Sequence, residues 1–157
     1  MKQRVGIAQA LLNDPKLLIV DEPTAGLDPE ERARFRNLLT ELAGDRVVIL
    51  SSHIVSDIEA VATSVAVIKN GQLQVHSSPE KLLLGVQNKS WELTVLSSDV
   101  ARIREQFVIS ASVRTRDGVR LRVVGDVSPA SDARAIQPTL EDAYLYLLTS
   151  MDSVEHR

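Results

Sequence analysis

Residues 17–28, Leu-Leu-Ile-Val-Asp-Glu-Pro-Thr-Ala-Gly-Leu-Asp, decide the fold of this chain. The first four form a continuous apolar run, which predicts a parallel strand buried on both faces. Pro15 and Pro23 lie on either side of the run and exclude a helix there. Ligands of open α/β sheets bind beyond the carboxyl ends of the strands, so the acids that end the run, Asp21 and Glu22, are candidates for a metal–phosphate site.

Two adjacent acids in an extended segment point in different directions. One of them can therefore bind Mg²⁺ through water while the other holds the attacking water of a phosphoryl transfer. The alternative is a pair of solvated carboxylates at the end of a strand. That alternative explains the acids but not the residues that follow them.

Helix and strand patterns alternate along the first half of the chain, which predicts an α/β fold. The predicted elements are helices at 2–12, 28–43, 55–61 and 78–84 and strands at 17–20, 46–50, 65–68 and 72–75. Asp28 is the expected N-cap of the second helix, with Pro29 at its first position. The strand at 46–50 leads directly into Ser51-Ser52-His53, and Asn70-Gly71 predicts a two-residue hairpin.

The pattern changes after Gly85, where strand alternation resumes at 91–96 and 114–124 with Asp117-Gly118 at a hairpin turn. Helices are predicted from Ser98-Asp99 through 106 and from 140 to 148, and 125–138 is predicted to be a loop. We expect Trp91 to lie in the core. Tyr144 and Tyr146 on the last helix are expected to pack against the domain, with a contact to a partner subunit as the alternative. The sequence thus predicts two domains, 1–85 and 86–157, the second a small α+β unit.

Composition limits the classes of protein. The chain has 157 residues, 44% hydrophobic and 25% charged, with a net charge of −3 and no cysteine. The mixed charge gives no basic footprint for nucleic acid. The missing cysteines exclude a disulfide framework or a thiolate metal site, and His76 and His156 have no partners at ligand spacing. No apolar run approaches the roughly 18 residues of a membrane helix, so a membrane role would go through a partner.

Residues 17–28 closely resemble the ATP-binding cassette (ABC) family. In that resemblance 17–22 is the Walker B strand, 25–28 is the D-loop, and His53 is the switch histidine. Asp21 would then hold Mg²⁺ through water, Glu22 would orient or activate the attacking water, and His53 would contact the γ-phosphate. Asp28 would add a D-loop contact across a dimer. Met1 to Val5, including Gln3, resembles the residues that complete and follow the signature Leu-Ser-Gly-Gly, which places Gln3 at the nucleotide.

The resemblance covers about 85 residues, which correspond to the second half of the nucleotide-binding domain. No Gly-x-x-x-x-Gly-Lys-Ser/Thr motif occurs in these residues. We therefore expect an α/β chain that is the C-terminal half of a P-loop NTPase (ABC ATPase) domain without the Walker A strand and loop, followed by the α+β domain. ATP and Mg²⁺ are cofactors of the parent protein by this interpretation, and this chain alone should bind ATP weakly or not at all.

The resemblance also implies a branch of the family. Ala25-Gly26 is similar to bacterial transport ATPases, whereas translation-associated relatives usually carry Asn-His there, and 137–145 resembles the C-terminus of exporter ATPases. The expected partners are a membrane permease, which would select the substrate, and a second copy of the ATPase subunit, with no nucleic acid. The expected location is cytoplasmic, on the inner face of the membrane through the permease. The alternative is a non-catalytic remnant or a regulatory or interaction module.

Overall fold

The computed structural model describes residues 2–155, and it describes side chains for residues 5–150. The chain forms two compact units, Met1–Thr63 and Ser64–Arg157. The predicted boundary at residue 85 lies inside the second unit, and the division into an ATPase portion and a C-terminal domain stays a prediction. No helix within residues 2–155 is both long and apolar enough to cross a membrane.

The first unit is a small α/β arrangement. Its elements are α1 Lys2–Leu11, β1 Leu17–Asp21, α2 Pro29–Leu42, β2 Val47–Ser51 and α3 Val55–Val61. β1 and β2 are parallel, in a register that runs from Leu17 opposite Val47 to Asp21 opposite Ser51. Because the two strands end together, the residues that follow them meet at one edge of the sheet.

The buried part of this unit lies on one side of the sheet. Leu18 and Val20 of β1 are buried, as are Phe35 and Leu39 of α2. α2 begins as predicted, because Asp28 caps it by accepting a hydrogen bond from the Glu31 N–H at 2.8 Å, with Pro29 in the first turn. The apolar positions of β1 and α2 therefore form the core that positions the end of β1.

The other side of this sheet is apolar and open. Leu17 and Ile19 are 50% and 67% exposed, and their register partners Val47 and Ile49 are 60% and 52% exposed. These four side chains share one face, because partners in a parallel pair point the same way. We call this set the open face. The prediction that β1 is buried on both faces is therefore wrong over the described part of the chain, since only one face is covered there.

The second unit is an α+β arrangement of strand hairpins and helices. Its elements are β3 Val65–Lys69, β4 Gln72–Ser77, α4 Pro79–Gly85, β5 Ser90–Val95, α5 Val100–Gln106, β6 Val108–Thr115, β7 Gly118–Val124, β8 Arg134–Ala135 and α6 Leu140–Glu155. β3 and β4 form the predicted hairpin, with positive φ of 53° at Asn70 and 75° at Gly71. The remaining strands form an antiparallel sheet in the order β6-β7-β5-β8.

This four-stranded sheet is covered on both faces. One face carries the buried cluster, to which β7 contributes Val119, Leu121 and Val123 and α5 contributes Ile103. Arg122 alternates with these residues and so points to the opposite face, where it bonds to α6. The tight β6–β7 turn needs glycine, because a Cβ at Gly118, where φ is 142°, would collide with the carbonyl oxygen of Val95.

Asp142, in the first turn of α6, is buried on the second face. Its carboxylate accepts hydrogen bonds from Arg122 Nε at 2.9 and 3.0 Å, from Ser110 Oγ at 2.7 Å and from Ser90 Oγ at 3.1 Å. The Thr139 N–H also donates to it at 2.9 Å, and the Asp142 N–H donates back to Thr139 Oγ1 at 3.3 Å. Burial raises the pKa of Asp142, but its hydrogen bonds outweigh burial and hold the pKa below the ordinary 3.8.

Several predictions for this unit need correction. β6 begins at Val108 rather than near Arg114, and its alternation is interrupted by a register shift around Ser110. β8 lies inside the predicted loop, and α6 continues past residue 148. Trp91 is half-buried rather than in the core, and its indole N–H donates to the Gly125 carbonyl at 3.0 Å. Tyr146 packs within the unit as expected, since its hydroxyl accepts from Lys89 Nζ at 2.6 Å.

Candidate functional site

The candidate site lies where β1 and β2 end. Asp21 and Ser51 are register partners, and the Ser51 hydroxyl donates a hydrogen bond to Asp21 Oδ1. The Glu22 N–H donates to both the carbonyl oxygen and the hydroxyl of Ser51, each at 3.1 Å. The parallel register therefore joins the acidic pair of the first strand to the serine that ends the second.

Glu22 leaves the strand conformation at this point. Its φ is 44°, in the left-handed region that residues other than glycine rarely adopt. Such a conformation typically costs about 1–3 kcal/mol and is concentrated at functional sites. It starts a turn in which the Ala25 N–H donates to the Glu22 carbonyl at 3.1 Å. The surrounding hydrogen bonds hold this backbone in place.

The Glu22 side chain is bound by His53 through a single carboxylate oxygen. Oε1 lies 2.8 Å from His53 Nδ1 and accepts the His53 backbone N–H at 3.0 Å. The His53 ring is 73% exposed, whereas Glu22 is 34% exposed. In a protonated imidazole both ring nitrogens donate, so Nδ1 can donate to Glu22 while Nε2 is available to an acceptor such as a phosphate oxygen. The contact fixes the orientation of both side chains.

The loop that follows Glu22 is compact. Thr24 is buried, and its carbonyl accepts the Leu27 N–H at 3.2 Å. Asp28 ends the loop and uses its carboxylate as the N-cap of α2. The helix thus anchors the loop at one end, and the sheet edge anchors it at the other.

The predicted site residues divide into three groups. Asp21, Glu22 and His53 meet at the edge of the β1–β2 sheet. Asp28 caps α2, and a contact across a dimer stays a prediction. Gln3 lies outside the residues whose side chains the structure describes.

Ser51 is a site residue that the sequence reasoning missed. Its hydroxyl donates to the Asp21 carboxylate and accepts the Glu22 N–H, so it connects both acids. The signal that could have found it is its place at the end of β2, which makes it the register partner of Asp21 once the two strands are paired in parallel. Sequence reasoning placed both strands but did not derive their register.

The donor set at this edge suits Mg²⁺ bound mainly by water and phosphate. Asp21 and Ser51 offer oxygen ligands, which magnesium prefers. Among the described side chains, no group of three or more His, Cys, Asp or Glu is arranged to hold a metal by itself. Magnesium usually retains several waters and takes only one or two carboxylates from the protein, so these residues fit the ion.

The mixed α/β fold is consistent with a P-loop ATPase domain, and comparison with known proteins points to the same class. Residues 2–56 match the family model described as "AAA domain, putative AbiEii toxin, Type IV TA system", a P-loop ATPase family. The homologues narrow the class, and the chain belongs to the ATP-binding proteins of ABC transporters.

Three relatives illustrate the match. The "Uncharacterized ABC transporter ATP-binding protein YxlF" of Bacillus subtilis is 36% identical over 113 residues, which is 72% of this chain and 38% of the relative. YdbJ of the same organism, another uncharacterized ABC transporter ATP-binding protein, is 30% identical over an alignment of 162 positions, gaps included, which covers 96% of this chain and 53% of the relative. The bacitracin transport ATP-binding protein BcrA of Bacillus licheniformis is 51% identical over 75 residues, 46% of this chain and 24% of the relative. The chain spans about half or less of the length of these relatives.

Proposed function

We propose that this chain is part of the ATP-hydrolysing subunit of an ABC transporter and carries its Walker B acids, D-loop and switch histidine. The observation that carries the proposal is the double contact of His53 with Glu22 Oε1, at 2.8 Å from the ring and 3.0 Å from the backbone N–H. A carboxylate held in this way, one residue beyond a strand that ends in Asp21, suits the activation of water next to a phosphate.

Each residue has a separate proposed role. Glu22 takes the proton of the water that attacks the γ-phosphate of ATP, and the products are ADP and phosphate. His53 keeps the Glu22 carboxylate in position and contacts the γ-phosphate. Asp21, held by the Ser51 hydroxyl, binds magnesium through water. Mg²⁺, when bound, neutralises charge on the phosphate oxygens.

Two further residues belong to the proposed dimer. Asp28 contributes a D-loop contact across two ATPase subunits in addition to capping α2. Gln3 belongs to the signature segment that faces the nucleotide of the other subunit. The dimer works with a membrane permease, in our proposal that of an exporter, which keeps the ATPase at the inner face of the membrane.

Tight binding of ATP requires groups beyond these 157 residues. In P-loop ATPases the backbone N–H groups of the phosphate loop and its lysine hold the phosphates, and no such motif occurs in this sequence. The open face supports the same interpretation, because in a complete α/β domain both faces of a parallel sheet are covered. We propose that further residues of the intact ATPase cover it.

A second candidate function is a non-catalytic regulatory or interaction module. The observation that favours it is the same missing phosphate loop, combined with a second unit that has its own buried core. The DNA upstream of the codon for Met1 discriminates the two functions. An in-frame continuation that encodes Leu-Ser-Gly-Gly and a phosphate loop supports the ATPase, whereas a stop codon supports the module.

Substitution of the two acids in the intact ATPase tests the proposed roles. Glu22→Gln retains shape and hydrogen bonding but removes the base, so ATP should still bind while turnover falls by about 10²- to 10⁴-fold. The loss of carboxylate repulsion should also let an ATP-bound dimer survive gel filtration. Asp21→Asn is the matched comparison and should weaken Mg·ATP binding without forming that dimer. Near-normal hydrolysis by Glu22→Gln would refute the assignment of the base.

A further inference from the structure

Asp57 is a buried acid to which the proposed mechanism gives no role. Its carboxylate is 4% exposed and lies between two arginines of α2. Oδ1 accepts a hydrogen bond from Arg36 Nη1 at 3.2 Å, and Oδ2 lies 3.8 Å from Arg32 Nε. The Arg36 contact is a hydrogen bond, whereas the Arg32 contact is an ion pair whose two facing atoms make no hydrogen bond in the described structure. We call these three residues the arginine clamp.

The arginine clamp joins the two helices that follow the candidate site. α2 begins after the D-loop at Asp28, and α3 begins two residues after His53. Arg32 and Arg36 are four residues apart and so lie on the same side of α2. Asp57 is in the first turn of α3. The clamp therefore fixes the helix after His53 against the helix after the D-loop.

A short series of hydrogen bonds connects the arginine clamp to the site. The Asp57 N–H donates to the Ile54 carbonyl at 3.1 Å, and the Ile54 N–H donates to Ser52 Oγ at 3.0 Å. His53 lies between Ser52 and Ile54 in the sequence and donates its own N–H to Glu22 Oε1 at 3.0 Å. The start of α3 is thus tied to the segment that presents His53.

We propose that Asp57 is a positioning residue: by clamping α3 to α2 it holds the His53 backbone and ring on the Glu22 carboxylate. Ion pairs buried in this way add little net stability compared with apolar packing, but they fix geometry, because a buried charge without its partner is strongly unfavourable. Positioning matters here, since a small displacement of a catalytic group reduces the rate strongly. The functional consequence rests on the role proposed above for Glu22.

Hydrogen exchange measured by NMR on this chain tests the positioning without any ATPase activity. Asp57→Asn keeps the shape of the side chain and removes its charge, so protection of the His53 amide should fall about tenfold or more relative to amides of β1 and β2. Arg36→Gln should lower the protection of the His53 amide by a similar factor. Arg32→Gln should lower it less, because only Arg36 forms a hydrogen bond with Asp57. Glu22→Ala removes the acceptor of the His53 N–H, so this variant shows how far the protection falls when the hydrogen bond is lost completely.

The matched control is Glu30→Gln, which breaks an exposed ion pair with Arg34 on the same helix and should leave the His53 amide unchanged. An unchanged His53 amide in folded Asp57→Asn would overturn the proposal. An equal loss over all of β1 and β2 would also overturn it, because the clamp would then support only global stability. If Asp57→Asn fails to fold, Arg36→Lys replaces it in the same measurement. Lysine retains the positive charge but lacks the geometry of the guanidinium group.

The intact ATPase supplies a separate functional measurement. Asp57→Asn should lower kcat about tenfold or more with little change in the KM for ATP, because the clamp affects His53 and Glu22 rather than nucleotide binding. Loss of His53 protection without a change in kcat would confirm the positioning and refute its importance for catalysis, whereas the role of Glu22 is tested separately by Glu22→Gln. An unchanged His53 amide with a normal effect of Glu22→Gln would refute the positioning alone.

Discussion

The β1–β2 sheet of the first unit and the four-stranded sheet of the second unit differ in how their faces are covered. In the first unit Leu17, Ile19, Val47 and Ile49 are 50% to 67% exposed on the open face, whereas Leu121 and Val123 of the second unit are fully buried. The second sheet has α5 on one side and α6 on the other, and all of these elements come from this chain. The difference shows that the four-stranded sheet of the second unit is covered by helices of this chain, while the sheet of the first unit carries an apolar surface of the kind that α/β domains cover with another layer.

Asp142 also differs in its surroundings from the acids of the candidate site. The second unit buries Asp142 under a full set of hydrogen bonds, whereas the first leaves Asp21 exposed and Glu22 partly exposed at a strand end. A buried, fully bonded carboxylate is suited to hold a fold, and an accessible one is suited to meet a ligand. The comparison therefore separates a structural acid from acids available for chemistry.

The largest effect is expected at Asp142. Asp142→Ala leaves Arg122 and two serine hydroxyls without their partner, and breaking a buried pair in this way typically costs about 3–5 kcal/mol. Urea denaturation followed by the fluorescence of Trp91, in the same unit, measures this loss. Asp126→Ala, which removes an exposed acid that pairs with Lys89, is the control and should destabilise the second unit much less than Asp142→Ala.

The pH dependence sharpens this prediction. Because folding lowers the pKa of Asp142, the stability it contributes is present above 3.8 and is lost as the pH falls through the lower folded pKa. The difference in unfolding free energy between the wild type and Asp142→Ala should therefore shrink below about pH 4. A difference that stays constant from pH 7 to pH 2 would contradict the buried ion pair.

A pair of truncations tests the contrast between the two sheets directly. Leu121→Ala removes a fully buried side chain, which typically costs about 2–5 kcal/mol. Ile19→Ala removes a side chain that is 67% exposed and should change the stability of this chain by about 0.5 kcal/mol or less. Thermal unfolding of both variants gives the comparison. Equal losses would mean that the open face is covered in solution, for example by self-association.

A smaller effect than at Leu121 is expected at the N-cap of α2. Asp28→Ala removes the acceptor of the Glu31 N–H and should destabilise the first unit by about 0.5–2 kcal/mol. Asp28→Asn is the matched control, because asparagine caps nearly as well as aspartate. Circular dichroism of the three proteins during urea denaturation measures the difference. If Asp28→Asn lowers the unfolding free energy as much as Asp28→Ala does, the negative charge rather than the helix cap stabilises the first unit.

Local patterns predicted much of this structure. The β1 run, the cap at Asp28 and the Asn70-Gly71 hairpin were confirmed, since each depends on residues adjacent in sequence. The family resemblance of residues 17–28 was confirmed by the homologues. The features that were missed depend on distant residues. Ser51 joins the site only through strand register, and burial of a strand face depends on what covers it.

The start of β6 was missed for a local reason. The register shift around Ser110 breaks the alternation that marks a strand, so the residues before Arg114 did not show the expected pattern. Ser110 also donates to Asp142, a contact that no sequence spacing indicates. The site residues themselves were placed by resemblance, and their roles stay predictions.

The same irregularity at Ser110 bears on how this protein would aggregate. β6 is the outer strand of its sheet, and an outer strand that is regular and flat can recruit strands from other molecules and grow into ordered fibrils. A bulge bends and twists such a strand, so an incoming chain cannot match its hydrogen-bonding pattern. Chains that associate through apolar surfaces elsewhere should therefore form amorphous precipitates rather than fibrils nucleated at this edge.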